Sequence, residues 1–436
     1  MAKIRAGFLL FLICSATSYA ATIIVSNGDN LANKINGAAG GDTVLVNNGT
    51  YGAFQISNRN FTEALPLIIK AAPGARPLIQ SSDWYQAPIT SSSYIVLDGL
   101  TFDGGGQPVY CTDVNHLILI NLEVRNTGGE AVHIRGTSLY VDIINCHIHH
   151  TGSTQPQWAE GIYIGSGSLP FMNEEYVWIE CNDIHHTGYS EAINIKSQSY
   201  HITTRGNKLH DISPGTTTQY NQAALSLEAA DLSFKPGVDT DIWIENNEIY
   251  NVTFGQWANG IQTTTMGPRI KNNYIHSCAE YGIYFNSYND GPGRFTNVLY
   301  SNRIENCGSG VTNATTLPWV AQDPGANPNR PQAWYQSDTD TDGDGMTDVD
   351  EVRAGTDPNN PASVLIMYAP SMVSGGFVVQ WQSATNRWYT LWVATNLLTG
   401  FSEIEASHIP ATPPMNTFTG SVRQAGSAYY RIALDP

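Results

Sequence analysis

Past its first twenty residues the chain contains no long apolar run. A bilayer-spanning helix needs ~20 apolar residues in succession, so none is expected in the rest of the chain. Basic residues are scarce as well: 21 Lys and Arg stand against 38 Asp and Glu, for a formal net charge of −17. That balance excludes the basic footprint of a nucleic-acid binder. It also disfavours a polyanionic substrate unless a cation or local basic groups intervene. Cysteine is limited to six residues, none in a CxxC spacing, which argues against a structural zinc site.

What is present starts with residues 2–20, AKIRAGFLLFLICSATSYA. Two basic residues, an apolar run from Phe8 to Cys14 and small residues ending at Ala20 predict a secretory signal peptide over residues 1–20. Ile13 precedes Cys14, where a lipoprotein cysteine would follow a small residue. Loss of Lys3 and Arg5 with this segment takes the charge from −17 to −19. The expectation is an exported, soluble, monomeric protein, secreted or at the cell surface. Export permits disulfides among the five remaining cysteines, Cys111, Cys146, Cys181, Cys278 and Cys307.

A short phrase then recurs every 25 to 40 residues: INCHIHHTG from Ile144, ECNDIHHTG from Glu180, RGNKLHDI from Arg205, ENNEIYNV from Glu245, KNNYIHSC from Lys271 and SNRIENC from Ser301. Aligned, the phrases place Asn182, Asn207, Asn247, Asn273 and Asn302 in one slot, with Cys146 in the same slot. Each is followed by a second short run, such as EAVHIRG, EGIYIGS, EAINIKS, AALSLEA and YGIYFNS. Period-two alternation of β-branched residues between Gly, Asn and Ser turns means strands. Units this short cannot bury a core alone and must stack. The expected fold is all-β, a parallel β-helix over residues 21–316 with coils ~4.8 Å apart. An amphipathic helix carrying Leu31 and Ile35 is expected to cap its open end. The repeated asparagines are read as coil-corner residues in left-handed conformation, hydrogen-bonded along the stack. His149, His185, His210 and His276 share a slot and read as a structural stack. Cys278 and Cys307, each five residues after an asparagine, should stack on adjacent coils, where either a disulfide or plain packing fits.

Reading the second runs in register yields three outward columns. The entry column holds Glu130, Glu160 and Glu191. The middle column holds His133, Tyr163, Asn194, Ser226, Gln262 and Tyr284. The last holds Arg135, Gly165, Lys196, Glu228, Thr264 and Asn286. Uneven loops beside this face bring Trp158, Tyr220 and Trp257, aromatic platforms of the kind on which sugar rings stack. Asn194, Glu228, Gln262 and Tyr284 complete a candidate substrate-binding set.

The segment SEAINIKSQSYHITTRGN (190–207) resembles the catalytic coil of the family containing chondroitinase B and β-helical alginate lyases, as the N-terminal segment resembles the cap of right-handed β-helix polysaccharide-active proteins. The resemblance covers about 20 residues strongly and implies a right-handed solenoid. It implies Lys196 as Brønsted base and Glu191 as a calcium ligand; of the family's other ligand positions, a second acid falls at Tyr189, a departure, and the residue one coil earlier at Glu160, a substitute. The family arginine one coil later falls near Glu228, a departure. On this basis a uronate-containing polysaccharide would be cleaved by β-elimination. Calcium on Glu160 and Glu191 would lower the Lys196 pKa together with burial. Tyr163, His133 or Arg135 would protonate the leaving oxygen or neutralise the enolate. Two alternatives stay open: a glycoside hydrolase using Glu160 and Glu191 as paired carboxylates, and a non-catalytic carbohydrate-binding or adhesive solenoid. Alginate, a galactosaminoglycan, pectin and an algal sulfated polysaccharide all fit as the polymer.

After a linker (317–337), residues 338–358 read DTDTDGDGMTDVDEVRAGTDP. Asp340, Asp342, Asp344, Gly345, Asp348 and Glu351 match positions 1, 3, 5, 6, 9 and 12 of an EF-hand-type loop, with the Met346 carbonyl at position 7. The stretch resembles thrombospondin type 3 calcium repeats, including a GTDP ending that would add Asp357. Strand-like runs in 362–436 (SVLIMYA, GFVVQWQ, RWYTLWVAT, SAYYRIAL) predict a small C-terminal β-domain resembling those appended to exported polysaccharide-degrading enzymes.

Overall fold

The computed structural model describes residues 20–434, apart from 167–172, 197, 213–222, 229–238, 254–256, 264–266, 287–294, 314–318, 326, 328–333, 386, 396–400, 402 and 422–427. Residues 1–19, nearly all of the expected signal peptide, lie outside the described residues. Three parallel sheets wind along one axis. The first has twelve strands, from Thr22–Val25 to Trp319–Ala321. The second has ten, from Thr50–Tyr51 to Arg303–Glu305, and the third has ten, from Ile56–Ser57 to Ser309–Asn313. Each turn of the solenoid gives one strand to each sheet, and the inward side chains of all three form one continuous core from Val25 to Leu299. Val132, Ile134, Ile162, Ile164, Ile193, Ile195, Leu225, Leu227, Ile283 and Phe285 are wholly buried. Each such side chain contributes roughly 1.5–3 kcal/mol relative to exposure, and stacking is what makes that burial possible.

The asparagine slot is a buried ladder. Asn182 Nδ2 donates to Asn207 Oδ1 at 2.9 Å, Asn207 to Asn247 at 3.0 Å, Asn247 to Asn273 at 2.9 Å and Asn273 to Asn302 at 2.9 Å. The second donor of each amide is used as well, for example Asn207 Nδ2 to the Ile179 carbonyl at 2.8 Å. The expectation that these asparagines adopt the left-handed conformation is corrected. The residue before each carries the positive φ: Asn145, Cys181, Gly206, Asn246, Asn272 and Ser301, at 50° to 66°. The corner turns one residue early, and that turn aims the next side chain inward along the stack.

The helix Leu31–Gly37 closes the first end. Asn30 caps it by accepting from the Asn33 N–H at 2.8 Å, and Leu31 and Ile35 are buried against the core. Arg59 donates to the Ile35 carbonyl at 2.7 Å and also to the Ala38 carbonyl, satisfying acceptors that a helix end leaves open.

Beyond the solenoid the chain returns to it. Trp334, Tyr335 and Val349 pack on Val96, Ile118, Ile120 and Ile144, an apolar patch on the outer side of the first sheet. The helix Asp348–Ala354 starts at Thr347 and stops at Gly355, whose φ of 79° is the left-handed exit for which glycine is suited. Two three-stranded antiparallel sheets follow around Phe377, Val379, Trp381, Tyr389 and Leu391. SVLIMYA is not a strand: among its residues only Met367 makes a bridge, to Trp381. Pro361 and Pro370 bracket it, and proline interrupts ladder pairing. Among the described residues no helix is long and apolar enough to cross a membrane.

Candidate functional site

The outward columns of the third sheet stand in register. Tyr110, His133, Tyr163, Asn194, Ser226, Gln262 and Tyr284 pair successively across the ladder. They are more enclosed than an outward column suggests. His133 is 4% exposed, Asn194 1% and Gln262 4%. Asn194, Gln262 and Tyr284 therefore form a polar layer beneath the surface in this conformation. Asn194 donates to Glu228 at 3.3 Å, and Gln262 accepts from Asn259 at 3.2 Å. Tyr220 and Thr264 lie outside the described residues.

At the strand entries Glu130, Glu160 and Glu191 make a row of buried carboxylates, at 6%, 3% and 5% exposure. Successive coils are hydrogen-bonded here: the N–H groups of Ala131 and Gly161 donate to the Glu160 and Glu191 carbonyls at 2.9 and 3.1 Å. Burial, with Glu191 and Glu130 adding to it, pushes the Glu160 carboxyl up to about 8. Burial raises the pKa values of Glu191 and Glu130 too, partly opposed by Lys196. Gln107 donates to Glu130, and Ser190 donates to Glu191 at 2.9 Å, while Glu160 Oε2 is buried without a hydrogen-bond partner. Hard oxygen donors gathered in one row and an unpartnered buried oxygen fit a divalent cation of calcium type.

Lys196 projects one column over. Its Nζ pairs with Glu228 and lies 5.2 Å from the centroid of the Tyr163 ring. The expected lowering of its pKa rested on calcium together with burial; the protein's own groups alone have a net effect of the opposite sign. Burial lowers it, but Glu228, Tyr163 and Glu191 together outweigh burial, and the pKa is raised. Where the resemblance implied an arginine, Glu228 has the opposite sign and clamps the lysine proton.

His133 is enclosed between Tyr110 and Tyr163, with ring centroids 5.5 and 4.5 Å away. Its Nε2 faces the Gly165 carbonyl at 3.0 Å and its Nδ1 is buried without a hydrogen-bond partner. Burial lowers its pKa to about 4. A pKa that low leaves the ring neutral at pH 7, so His133 offers an N–H and not a full positive charge. Arg135 lies with its guanidinium carbon 6.0 Å from the Tyr110 centroid. A further acid, Glu174, is fully buried beside Gly165 and within the field of Arg135. Burial raises its pKa to about 8. Sequence reasoning missed it because it opens a strand of the first sheet, outside the third-sheet columns; its only signal was a glutamate at the head of EEYVWIE.

The two described loop aromatics separate. Trp158 is 56% exposed, and its backbone lies near Gly129 beside the carboxylate row. Trp257 packs on Tyr284 at 5.3 Å, and Tyr284 stands six coils along the ladder from Tyr110.

In the acidic segment the carboxylates of Asp340, Asp342 and Asp344 converge within 4.8 Å of one another. Asp340 accepts from the N–H groups of Gly343 at 2.7 Å and Gly345 at 3.0 Å, and the Met346 N–H donates to Asp344 at 2.8 Å. Asp342 Oδ2, Asp344 Oδ2 and Glu351 Oε2 are buried and unpartnered. Burial and then Asp342 and Asp344 raise the Glu351 carboxyl to about 7. This donor set also fits calcium. Asp348 is held by Thr341, whose N–H and hydroxyl donate at 2.7 and 2.6 Å. Asp357 instead accepts from the Asn359 N–H at 3.1 Å on an exposed turn.

The five described cysteines are free thiols. Cys278 and Cys307 nonetheless lie side by side on adjacent coils, close enough to hydrogen-bond.

Comparison with known proteins agrees with this architecture. Residues 87–232 match the family model of the right handed beta helix region, and residues 340–361 match that of the bacterial TSP3 repeat. An alginate lyase from Paenibacillus sp. str. FPU-7 superposes with a TM-score of 0.53 at 21% identity, over 67% of this chain and 97% of that one. Pectate lyase Pel9A superposes at 0.44 and 13% identity, over 72% and 82%. PfbA, a surface adhesin of Streptococcus pneumoniae, does so at 0.44 and 12%, over 73% and 99%. No curated protein matches the chain. The shared feature is the right-handed parallel β-helix.

Proposed function

We propose that this chain is an exported polysaccharide lyase that cleaves a uronate-containing polymer by β-elimination. One observation carries the reading. Lys196, its side chain 12% exposed, stands on the solenoid face among a phenol, an amide and a row of buried carboxylates. β-Elimination needs a base at C5, neutralisation of the uronate carboxylate and a proton donor at the leaving oxygen. Lys196 is the base. Its release from Glu228 is part of substrate entry, because the ion pair holds the proton that the base must lose. Tyr163 donates to the leaving oxygen and Arg135 faces the developing enolate. Neutral His133 orients Tyr163 through their ring contact, and Trp158 supplies an exposed face for a sugar ring.

Glu160 and Glu191 would hold calcium. What the ion supplies when bound is neutralisation of the substrate carboxylate and of the acids that raise the Lys196 pKa. In the second calcium site, Asp340, Asp342, Asp344, Met346, Asp348 and Glu351 play a structural role. The match to the bacterial TSP3 repeat supports that site. The fold shared with an alginate lyase makes alginate the first polymer to try.

The adjacent buried acids favour a second reading. A carboxyl near pKa 8 beside another on the next coil is what a glycoside hydrolase needs for acid and nucleophile. Variants separate the two. Under the lyase reading Lys196→Ala lowers turnover on the order of 10²-fold or more with folding intact by circular dichroism. Full activity in Lys196→Ala, with loss in Glu160→Gln, transfers the chemistry to the acids.

A further inference from the structure

The second sheet carries a cluster that the lysine groove does not use. Period-two alternation turns Glu123 and Arg125, His147 and His149, Asp183 and His185, and Lys208 and His210 outward on four successive coils, paired in register. His147 Nε2 lies 2.9 Å from His185 Nε2. The His149 ring stacks on His185 with centroids 5.1 Å apart, and its centroid is 4.3 Å from that of His147. The ligand atoms of Glu123, His147 and His149 fall within 4.8 Å of one another, as do those of Asp183, His185 and His210. The His147–His185 contact joins the two groups.

We propose that His147, His149 and His185, with Glu123 and Asp183 beside them, bind a divalent transition-metal ion of the zinc or copper type. Imidazole nitrogen with carboxylate oxygen is the donor set such ions prefer, whereas calcium takes oxygen alone. Two nitrogens on one tetrahedral zinc sit ~3.3 Å apart for bonds of about 2.0–2.1 Å, so His147 and His185 need open by only a few tenths of an ångström. Arg125 donates to Glu123 at 2.7 Å. Asp183 accepts from His210 at 2.8 Å, the kind of outer contact that orients a ligand.

Access is present. His147 is exposed, and Glu123, His147 and Asp183 line a cleft of about 990 Å³ between the second sheet and the returning segment that includes Asp338–Thr341. The site lies on a different sheet from Lys196 and stands whether or not the lyase reading does.

A chain of N–H···N hydrogen bonds is the competing account of the same contacts, and it predicts no metal. The test titrates untagged protein with zinc chloride in calorimetry, with excess calcium filling oxygen-only sites. The expected result is one saturable zinc equivalent per chain. His147→Gln and His185→Gln each weaken it on the order of 10-fold or more. With copper chloride, the electron paramagnetic resonance spectrum should show coupling to at least two imidazole nitrogens, reduced in either glutamine variant. The wild-type copper spectrum needs no variant to fold. Absence of saturable zinc binding, a wild-type copper spectrum without imidazole coupling, or affinity unchanged in both folded variants would overturn the proposal.

Discussion

At the scale of single residues, the third sheet concentrates ionisable groups that the fold holds away from their ordinary charge states. Glu174 gives the cleanest consequence. Its pKa is raised from an ordinary 4.5 to about 8, so between these values the folded protein keeps a proton that the unfolded chain releases. The resulting stabilisation is complete below pH 4.5 and is lost as pH rises through about 8. Glu174→Gln removes that dependence. Thermal melts should show the variant more stable than the parent at pH 8.5 and indistinguishable near pH 4.5; a parallel fall in both proteins would contradict the burial argument. Glu130, Glu160 and Glu191 were legible in the sequence because they occupy one column at the repeat spacing. Glu174 was not, since strand period assigns it to another sheet and only three-dimensional closure brings it to Gly165. The raised pKa of Lys196 was also hidden. The lysine could be placed, but the sign of its environment depends on the rotamer that brings Glu228 to it.

At the scale of the repeating element, the asparagine ladder was visible as a spacing and its hydrogen bonds follow from it. The backbone turn was assigned one residue late. An asparagine in a repeat points equally to a left-handed corner and to an inward amide, and here Cys181 and Ser301 make the corner where Asn182 and Asn302 make the ladder. Asn207→Ala tests the division of labour. It removes the acceptor for the Asn182 N–H and side chain and the donors to Ile179 and Asn247. Groups left buried and unpaired cost roughly 1–3 kcal/mol each, so urea denaturation should show a loss of several kcal/mol. A loss below about 1 kcal/mol, the net worth of one ordinary hydrogen bond, would mean that water or a shifted coil replaces the ladder.

At the scale of the molecule, the acidic segment is bound to the solenoid by more than chain continuity. Tyr335 donates to Asp98 at 2.7 Å and Val349 enters the apolar patch of the first sheet; on its other side, Arg387 of the C-terminal region donates to the Arg353 and Val352 carbonyls at 2.6 and 3.0 Å. The acidic residues proposed to hold calcium were legible because the motif is local. The docking was not, because Val96, Ile118 and Ile144 read as ordinary strand residues until their outer face is seen to be covered. Filling the acidic loop should therefore hold the C-terminal sheets against the solenoid. Chelation of calcium, or Asp340→Ala combined with Glu351→Ala, should expose residues 338–358 to protease while the solenoid fragment stays resistant. Equal protection with and without calcium would separate the loop from the docking.

The central claim concerns the groove on the third sheet. The most direct measurement incubates the purified protein with uronate and neutral polysaccharides, with and without calcium, while following ultraviolet absorbance of unsaturated products and reducing ends together. Both signals should rise in step on a uronate polymer, only with calcium, and both should vanish in Lys196→Ala. Reducing ends without unsaturation would contradict β-elimination and point to hydrolysis at Glu160 and Glu191, and silence across the uronate polymers would contradict the lyase account in favour of a binding protein.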